Sequence, residues 1–275
     1  MAMLGKAVRM SRLVNPKSDK MMAITVDHSI SRGILQGLIN IQDTIDKIVA
    51  GGPNAITMTK GIAELCFPKH AGKCSLLLKC SSYSPVEPTC DGMFGDAEEG
   101  VRMGADGVSV GAMMLGNYQA QQLREIGEMS KQCMALGMPL IGHMYPKGES
   151  VKKEDYTKWE NIAYSVRAGA ELGVDIIKTT YTGDPDTMAK VVASCPARVA
   201  IQGGDGCHTI EDYMNMTYDA INKAGVGGVV FGRFVWSYED VTSLVKSLGS
   251  IIHEGATVKQ ALEMLHDLES DTRKK

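Results

Sequence analysis

No apolar run in this 275-residue chain approaches the ~20 residues that a membrane-spanning helix requires. The first twenty residues are basic but lack the roughly 7–15-residue apolar core of a secretory signal. A cytoplasmic protein is expected, with no membrane partner. The chain also lacks a basic excess: its net charge of −3 supplies no field for nucleic acid. Seven cysteines fall at 66, 74, 80, 90, 133, 195 and 207, with no C-x-x-C pair and no Cys/His zinc spacing. No metal site and no cofactor are therefore expected, and most of these thiols read as small buried hydrophobes. The cluster between 66 and 90 has no account from spacing alone. Finally, there is no glycine fingerprint after the first strand. Asp27-His28-Ser29 stands there instead, which argues against a doubly wound dinucleotide-binding sheet.

What is present has ordinary globular proportions, with 44% hydrophobic and 22% charged residues. The stretch around which the chain is organised is Val174-Asp175-Ile176-Ile177-Lys178-Thr179-Thr180-Tyr181. It reads as a short buried strand delivering a lysine to its carboxyl end. A buried ammonium is costly unless it is paired or loses its proton, and a lysine that loses its proton is a nucleophile for carbonyl carbon. The plain alternative is a strand-end lysine reaching solvent.

Seven further short apolar strands are expected at Met21 to Val26, Ala55 to Thr59, Ser75 to Lys79, Gly107 to Val110, Pro139 to Met144, Arg198 to Ile201 and Gly228 to Phe231. Helical periodicity appears after nearly every one, as in Ile41 to Ala50 with Ile41, Ile45, Ile48 and Val49 on one face. Other helices are expected at Ala97 to Met103, Asn117 to Leu136, Asp155 to Leu172 and Ile210 to Ala224, with two more near 239–254 and 257–268 closing the chain. Residues 80–95, rich in Ser, Pro, Cys and Gly, read as a loop. Eight βα units predict an α/β fold, a (β/α)8 TIM barrel occupying 1–275 as one domain, with residues 1–20 an N-terminal extension covering one end.

Active sites of such barrels lie at the carboxyl ends of the strands. The polar residues there are Asp27, His28, Lys60, Lys79, His143, Tyr145, Lys147, Lys178, Gly203, Gly204, Gly232 and Arg233. Asp27 is suited to holding a lysine's charge or moving a proton, and Tyr145 to acid/base work beside an ammonium. His143 shares a strand face with Tyr145 by the period of two and reads as a substrate contact, a second proton carrier or a satisfied buried histidine. His28 is expected to face away from Asp27. Lys60 and Lys79 read as solvated strand ends. Gly203-Gly204 and Gly232-Arg233 follow the last two strands, where such barrels bind phosphate through backbone N–H groups and a guanidinium fork. Lysine, tyrosine, aspartate and a phosphate cradle together suggest carbon–carbon bond chemistry on a phosphorylated ketone.

The motifs resemble those of class I, Schiff-base aldolases of the archaeal fructose-bisphosphate type. That wider family takes in 2-amino-3,7-dideoxy-threo-hept-6-ulosonate synthase and autoinducer-2 phosphate thiolase. The resemblance spans about residues 5–268. It rests on Gly5-Lys6-Ala7-Val8-Arg9, Val26-Asp27-His28, Met138-Pro139-Leu140-Ile141, Tyr145-Pro146-Lys147-Gly148, Ile177-Lys178-Thr179, Tyr181-Thr182-Gly183-Asp184, Gly203-Gly204 and Gly232-Arg233. It implies that Lys178 is the imine lysine, Tyr145 the acid/base and Asp27 its partner, with the two glycine loops holding the phosphate of a dihydroxyacetone-phosphate-like half. It also implies a homo-oligomer, pentameric or decameric. The alternatives it carries are a heptulosonate-synthase-like transaldolase and a thiolase on a phosphorylated diketone; outside it stands a non-enzymatic barrel binding a phosphorylated ligand. Four positions depart from the family's usual form. Ser29 replaces a glycine after Asp-His, and His143 stands where aldolase members often have a tryptophan two residues before the tyrosine. Lys147 replaces the arginine of Tyr-Pro-Arg-Gly and exchanges a fork for a point charge near the second anion's expected position, and Phe234 replaces the asparagine of Gly-Arg-Asn.

Overall fold

The structure, a computed structural model, describes residues 4–203 and 206–274. Its centre is a closed barrel of eight parallel strands. In chain order the strands are β1 (Met21–Thr25), β2 (Ala55–Met58), β3 (Ser75–Lys79), β4 (Ser81–Tyr83), β5 (Asp91–Met93), β6 (Gly107–Met113), β7 (Leu140–Tyr145), β8 (Ile176–Thr179), β9 (Arg198–Gln202) and β10 (Gly228–Phe231). Strands β4 and β5 stand apart as an antiparallel hairpin. The others run β1-β2-β3-β6-β7-β8-β9-β10, and β10 closes on β1 with Met21 opposite Gly228. The predicted loop at 80–95 is thus corrected to a hairpin that rises from β3 and returns to β6.

Every barrel strand is buried on both faces, which explains the near-continuous apolar runs. Outward residues such as Ile24, Ile56, Leu78, Val110, Leu140, Ile177, Ile201 and Phe231 pack beneath the helices. Helix Ile41–Ala50 turns Ile45, Ile48 and Val49 onto them, and the Asn40 side chain accepts the Asp43 backbone N–H at its start. Its successor Gly51 lies so close to helix Val241–Glu254 that a Cβ there would come within 2.4 Å of Val245 Cβ.

Inward residues divide by level. At the amino-terminal end, Met21, Ala23, Ala55, Leu77, Ile141, Ile176, Ala200 and Val230 form an apolar plug completed by Leu13 and Val14. Leu13 ends helix α1 (Leu4–Leu13), which lies across the barrel floor. Ion pairs Lys6–Asp175 (2.8 Å) and Arg12–Asp106 (2.9 Å) fasten α1 there. Asp175 also accepts the Leu140 backbone N–H at 2.9 Å, so it binds β8, β7 and α1 together. Higher up, the interior turns polar: Thr25, Thr57, Lys79, Ser109, His143 and Lys178 are all buried.

The helix expected at 210–224 is α-helical only over Ile210–Tyr218 and widens to a π-turn at Asp219–Lys223. The helix expected from Asp155 begins at Trp159. Among the described residues no helix is long and apolar enough to cross a membrane. All seven cysteines are free: Cys66, Cys80, Cys133 and Cys195 are buried, and the other three half-buried.

Candidate active site

A cavity of about 600 Å³ opens at the carboxyl ends of the strands. Asp27, His28, His143, Tyr145, Lys147, Lys178, Gly203, Gly232 and Arg233 all border it, so the structure brings these predicted residues together. Gly204 lies outside the described residues. Lys60 is absent from the cavity; it is exposed and pairs with Glu99 at 3.0 Å, as a solvated strand end would.

Lys178 is the penultimate residue of β8, 7% exposed, and flanked in the sheet by His143 of β7 and Ala200 of β9. Burial pushes its ammonium down to about 8. The positive charges of Lys79, Lys147 and Arg233 press the same way, and the Asp27 carboxylate opposes them. About a tenth of the amine is therefore neutral at pH 7, far more than at the ordinary value of 10.5.

Asp27 lies two residues beyond β1. Burial works against its ionisation, but His28, Lys178, Lys79 and the Thr25 hydroxyl together outweigh that and keep the carboxyl below its ordinary range. Thr25 Oγ1 donates a short hydrogen bond to Asp27 Oδ1. His28 does not face away, as strand alternation led us to expect. Its Nδ1 lies 3.6 Å from Asp27 Oδ1, because the chain leaves the pleat after Thr25 and the period of two no longer applies. Burial holds His28 down to about 4, so it is neutral at pH 7. Its ring meets Trp236 edge to face at 5.5 Å.

His143 and Tyr145 share the inward face of β7, as their spacing required. Burial, with Lys79 and Lys178 nearby, drives the His143 imidazole well below its ordinary value. Its Nε2 is buried without a hydrogen-bond partner. Met114 donates its backbone N–H to the Tyr145 carbonyl at 2.7 Å, and Lys147 does so at 2.9 Å. The Lys147 ammonium lies 5.1 Å from the Tyr145 ring centroid and 5.9 Å from that of Tyr156. Gly148 approaches the chain at Leu115–Gly116 so closely that a Cβ would sit 2.3 Å from the Gly116 nitrogen.

The glycines of the two late loops have a steric reason as well as a chemical one. A Cβ at 203 would fall 2.1 Å from the Tyr213 hydroxyl, and one at 232 would fall 2.6 Å from His28 Cε1. Their side-chain directions are filled, and both residues border the cavity. Arg233 follows Gly232 at the start of a short helical turn, Arg233–Trp236.

Sequence reasoning missed one region. Lys79 is no solvated strand end. It is 5% exposed inside the barrel, its ammonium donating to Ser81 Oγ at 3.2 Å and lying 3.9 Å from Asp91 Oδ1. Asp91 comes from the hairpin, which also brings Ser82, Tyr83, Pro85, Pro88 and Thr89 to the cavity. Arg32, Tyr156 and Gln202 border it too. A sequence signal did exist: Gly111 sits within β6, and an isolated glycine in a strand often marks a close approach by another group.

A buried lysine, a carboxylate, a phenol and two imidazoles border one cavity at the carboxyl end of a (β/α)8 barrel. A family model described as DeoC/LacD family aldolase matches residues 21–238, and the chain belongs to that family. It is 28% identical over 260 residues to a 2-amino-3,7-dideoxy-D-threo-hept-6-ulosonate synthase of Halobacterium salinarum, covering 94% of this chain and 95% of the relative. It is 26% identical to a 2-amino-4,5-dihydroxy-6-oxo-7-(phosphonooxy)heptanoate synthase of Streptomyces griseus, covering 93% of each. Among solved structures, an archaeal fructose 1,6-bisphosphate aldolase superposes with a TM-score of 0.82 at 23% identity, over 90% of this chain and 99% of the other. A fructose-bisphosphate aldolase from Slackia heliotrinireducens gives 0.84 at 17% identity, over 97% and 92%.

Proposed function

We propose that this chain is a class I aldolase in which Lys178 forms an imine with the ketone of a phosphorylated ketose. The observation that carries this reading is the burial of Lys178 in the cavity with its ammonium lowered to about 8. The neutral amine adds to the carbonyl carbon, the carbinolamine loses water, and the iminium becomes a sink for the electrons of the neighbouring bond. In the cleavage direction Tyr145 accepts the proton of the hydroxyl on the departing aldehyde carbon. The carbon–carbon pair then moves into the enamine. Protonation of the enamine carbon and hydrolysis return the free lysine. Asp27, ionised beside Lys178, stabilises the iminium charge. Gly203, Gly204, Gly232 and Arg233 hold the phosphate, anchoring the substrate away from the reacting bond so that binding energy orients it. His28, His143 and Lys147 contact the remaining polar groups of the substrate.

A second reading, synthesis in the transaldolase manner, has its own support. The relatives matched over 93–95% of both chains are named as synthases of seven-carbon amino acids or amino sugars. In that case the enamine on Lys178 attacks an aldehyde rather than being released by one. By the same family reasoning the protein is a cytoplasmic homo-oligomer, which light scattering coupled to size exclusion tests.

Borohydride reduction in the presence of dihydroxyacetone phosphate tests the imine. A stable adduct is expected on the peptide that contains Lys178, and none in Lys178→Ala. Turnover by Lys178→Ala near the wild-type rate would remove the imine from the mechanism.

A further inference from the structure

The hairpin of β4 and β5 carries a carboxylate into the barrel at some structural expense. Asp91 is 4% exposed. Its backbone N–H donates to Gln122 Oε1 at 3.1 Å, and Gln122, itself buried, also accepts the Met113 N–H at 3.0 Å. The hairpin is thereby clamped to β6. Room for the carboxylate exists only because residue 111 is glycine: a Cβ there would lie 2.3 Å from Asp91 Oδ2. Opposite stands the Lys79 ammonium, steadied by Ser81, whose Oγ also accepts the Gly111 N–H at 2.8 Å.

The two charges stop short of each other. Lys79 Nζ and Asp91 Oδ1 are 3.9 Å apart, and Asp91 Oδ1 has no hydrogen-bond partner. A buried ion pair meant only for stability closes to about 2.8 Å, because an unmade hydrogen bond in a dry interior is costly. An oxygen seated between the two atoms at ordinary hydrogen-bond distance, roughly 2.7–2.9 Å, satisfies both once a small rotation of the Asp91 carboxylate uncovers the buried Oδ1. That oxygen must accept from an ammonium and donate to a carboxylate, which is what a hydroxyl does. The pair also stands beside the reacting centre. Asp91 lies over Gly111, Gly111 is in register with His143, and His143 with Lys178. His143 Nε2, buried and unpartnered, offers a third contact on the same rung.

We propose that Lys79 and Asp91 form a hydroxyl-binding subsite that selects a hydroxylated chain in the half of the substrate remote from the phosphate. This rests on the imine reading above and sharpens it. The preferred aldehyde carries a hydroxyl that bridges the two side chains, and a deoxy analogue leaves the ammonium and the carboxylate facing each other without a mediator. A missing substrate hydroxyl is penalised strongly by a site built around it.

The test compares two three-carbon acceptors, glyceraldehyde and propanal, with dihydroxyacetone phosphate as donor. The quantity read is the ratio of their kcat/KM values on the same preparation. Changes in folded fraction or in amine reactivity cancel in that ratio. Intrinsic differences between the aldehydes cancel when a variant is divided by wild type. Asp91→Asn and Lys79→Met are each expected to lower the preference for glyceraldehyde by about tenfold to a hundredfold, the size of one charge-assisted hydrogen bond. Gly111→Ala, which keeps both charged residues but pushes the carboxylate out of place, is expected to lower it in the same direction. Ratios within twofold of wild type in Asp91→Asn and Lys79→Met would mean that only water fills the gap, and would overturn the subsite while leaving the imine intact. Failure of wild-type protein to give a borohydride adduct with the donor alone would overturn the imine reading, and the subsite with it.

Discussion

Below Lys178 the barrel interior holds Met21, Ala23, Leu77, Ile141 and Ile176, closed by Leu13 from the amino-terminal helix. Above that level it holds Lys79, Asp91, His143 and Lys178, with Asp27 just beyond the strands, nearly all withdrawn from water. The two halves share strands, depth and burial, and differ in what the burial does. Below, each methylene removed from water contributes stability. Above, burial opposes ionisation, and that opposition holds the Lys178 ammonium down to about 8. The lower half is the support that permits a charge-rich upper half. Its charges sit outside the plug, as the half-buried Lys6–Asp175 pair on the floor, where they anchor rather than react.

The sharpest way to separate the halves is to remove Lys178. Lys178→Ala is expected to lower turnover by at least about 10⁴-fold, since no other group replaces a covalent nucleophile. Its melting temperature should hold or rise, because a desolvated cation is gone. A large drop in melting temperature would show that this lysine supports the fold and would break the contrast. Tyr145→Phe comes next, with a loss of about 10²–10⁴-fold in kcat and borohydride trapping of the ketone retained. Loss of trapping would make Tyr145 part of imine formation itself.

In the lower half, Leu77→Ala is expected to cost about 2–5 kcal/mol in denaturant unfolding, with kcat per folded molecule unchanged. A matching fall in kcat would show that the plug shapes the site directly. Within the barrel interior the pH dependence runs through the upper half. Lys178 has a folded value of about 8 against an ordinary 10.5, so between those values the unfolded chain binds the extra proton. Stability from this group therefore increases as pH rises from about 8 to 10.5, by roughly 3 kcal/mol at about 1.4 kcal/mol per pH unit. Trapping should rise through pH 8 in the same experiment. A Lys178→Ala protein should lose that part of the stability profile, measured by urea unfolding at successive pH values. Smallest is Lys6→Ala, expected to cost about 1 kcal/mol and to leave the acceptor preference untouched.

Much of this was legible before the fold was seen. The repeating short apolar strand and amphipathic helix imposed a barrel, and the barrel rule put Asp27, Tyr145, Lys178 and the glycine loops on one rim. His143 followed correctly from alternation with Tyr145, since both lie within β7. His28 did not, because it lies beyond the end of β1, where alternation has no meaning. Lys79 failed for a different reason. Its strand, Ser-Leu-Leu-Leu-Lys, is apolar at consecutive positions, so parity could not separate the inner face from the outer. Its partner Asp91 lies twelve residues away in a stretch whose Ser, Pro and Gly content reads as loop.

The order of the elements, the barrel class and the presence of a lysine at the end of its sixth strand are properties of the amino-acid sequence, because local periodicity and turn residues specify them. Which lysine is largely withdrawn from water, and how far a lysine stands from a carboxylate, belongs to the tertiary structure. Burial and charge proximity are sums over residues distant in the chain, here β3, the hairpin and Gly111 of β6, and no local pattern contains them.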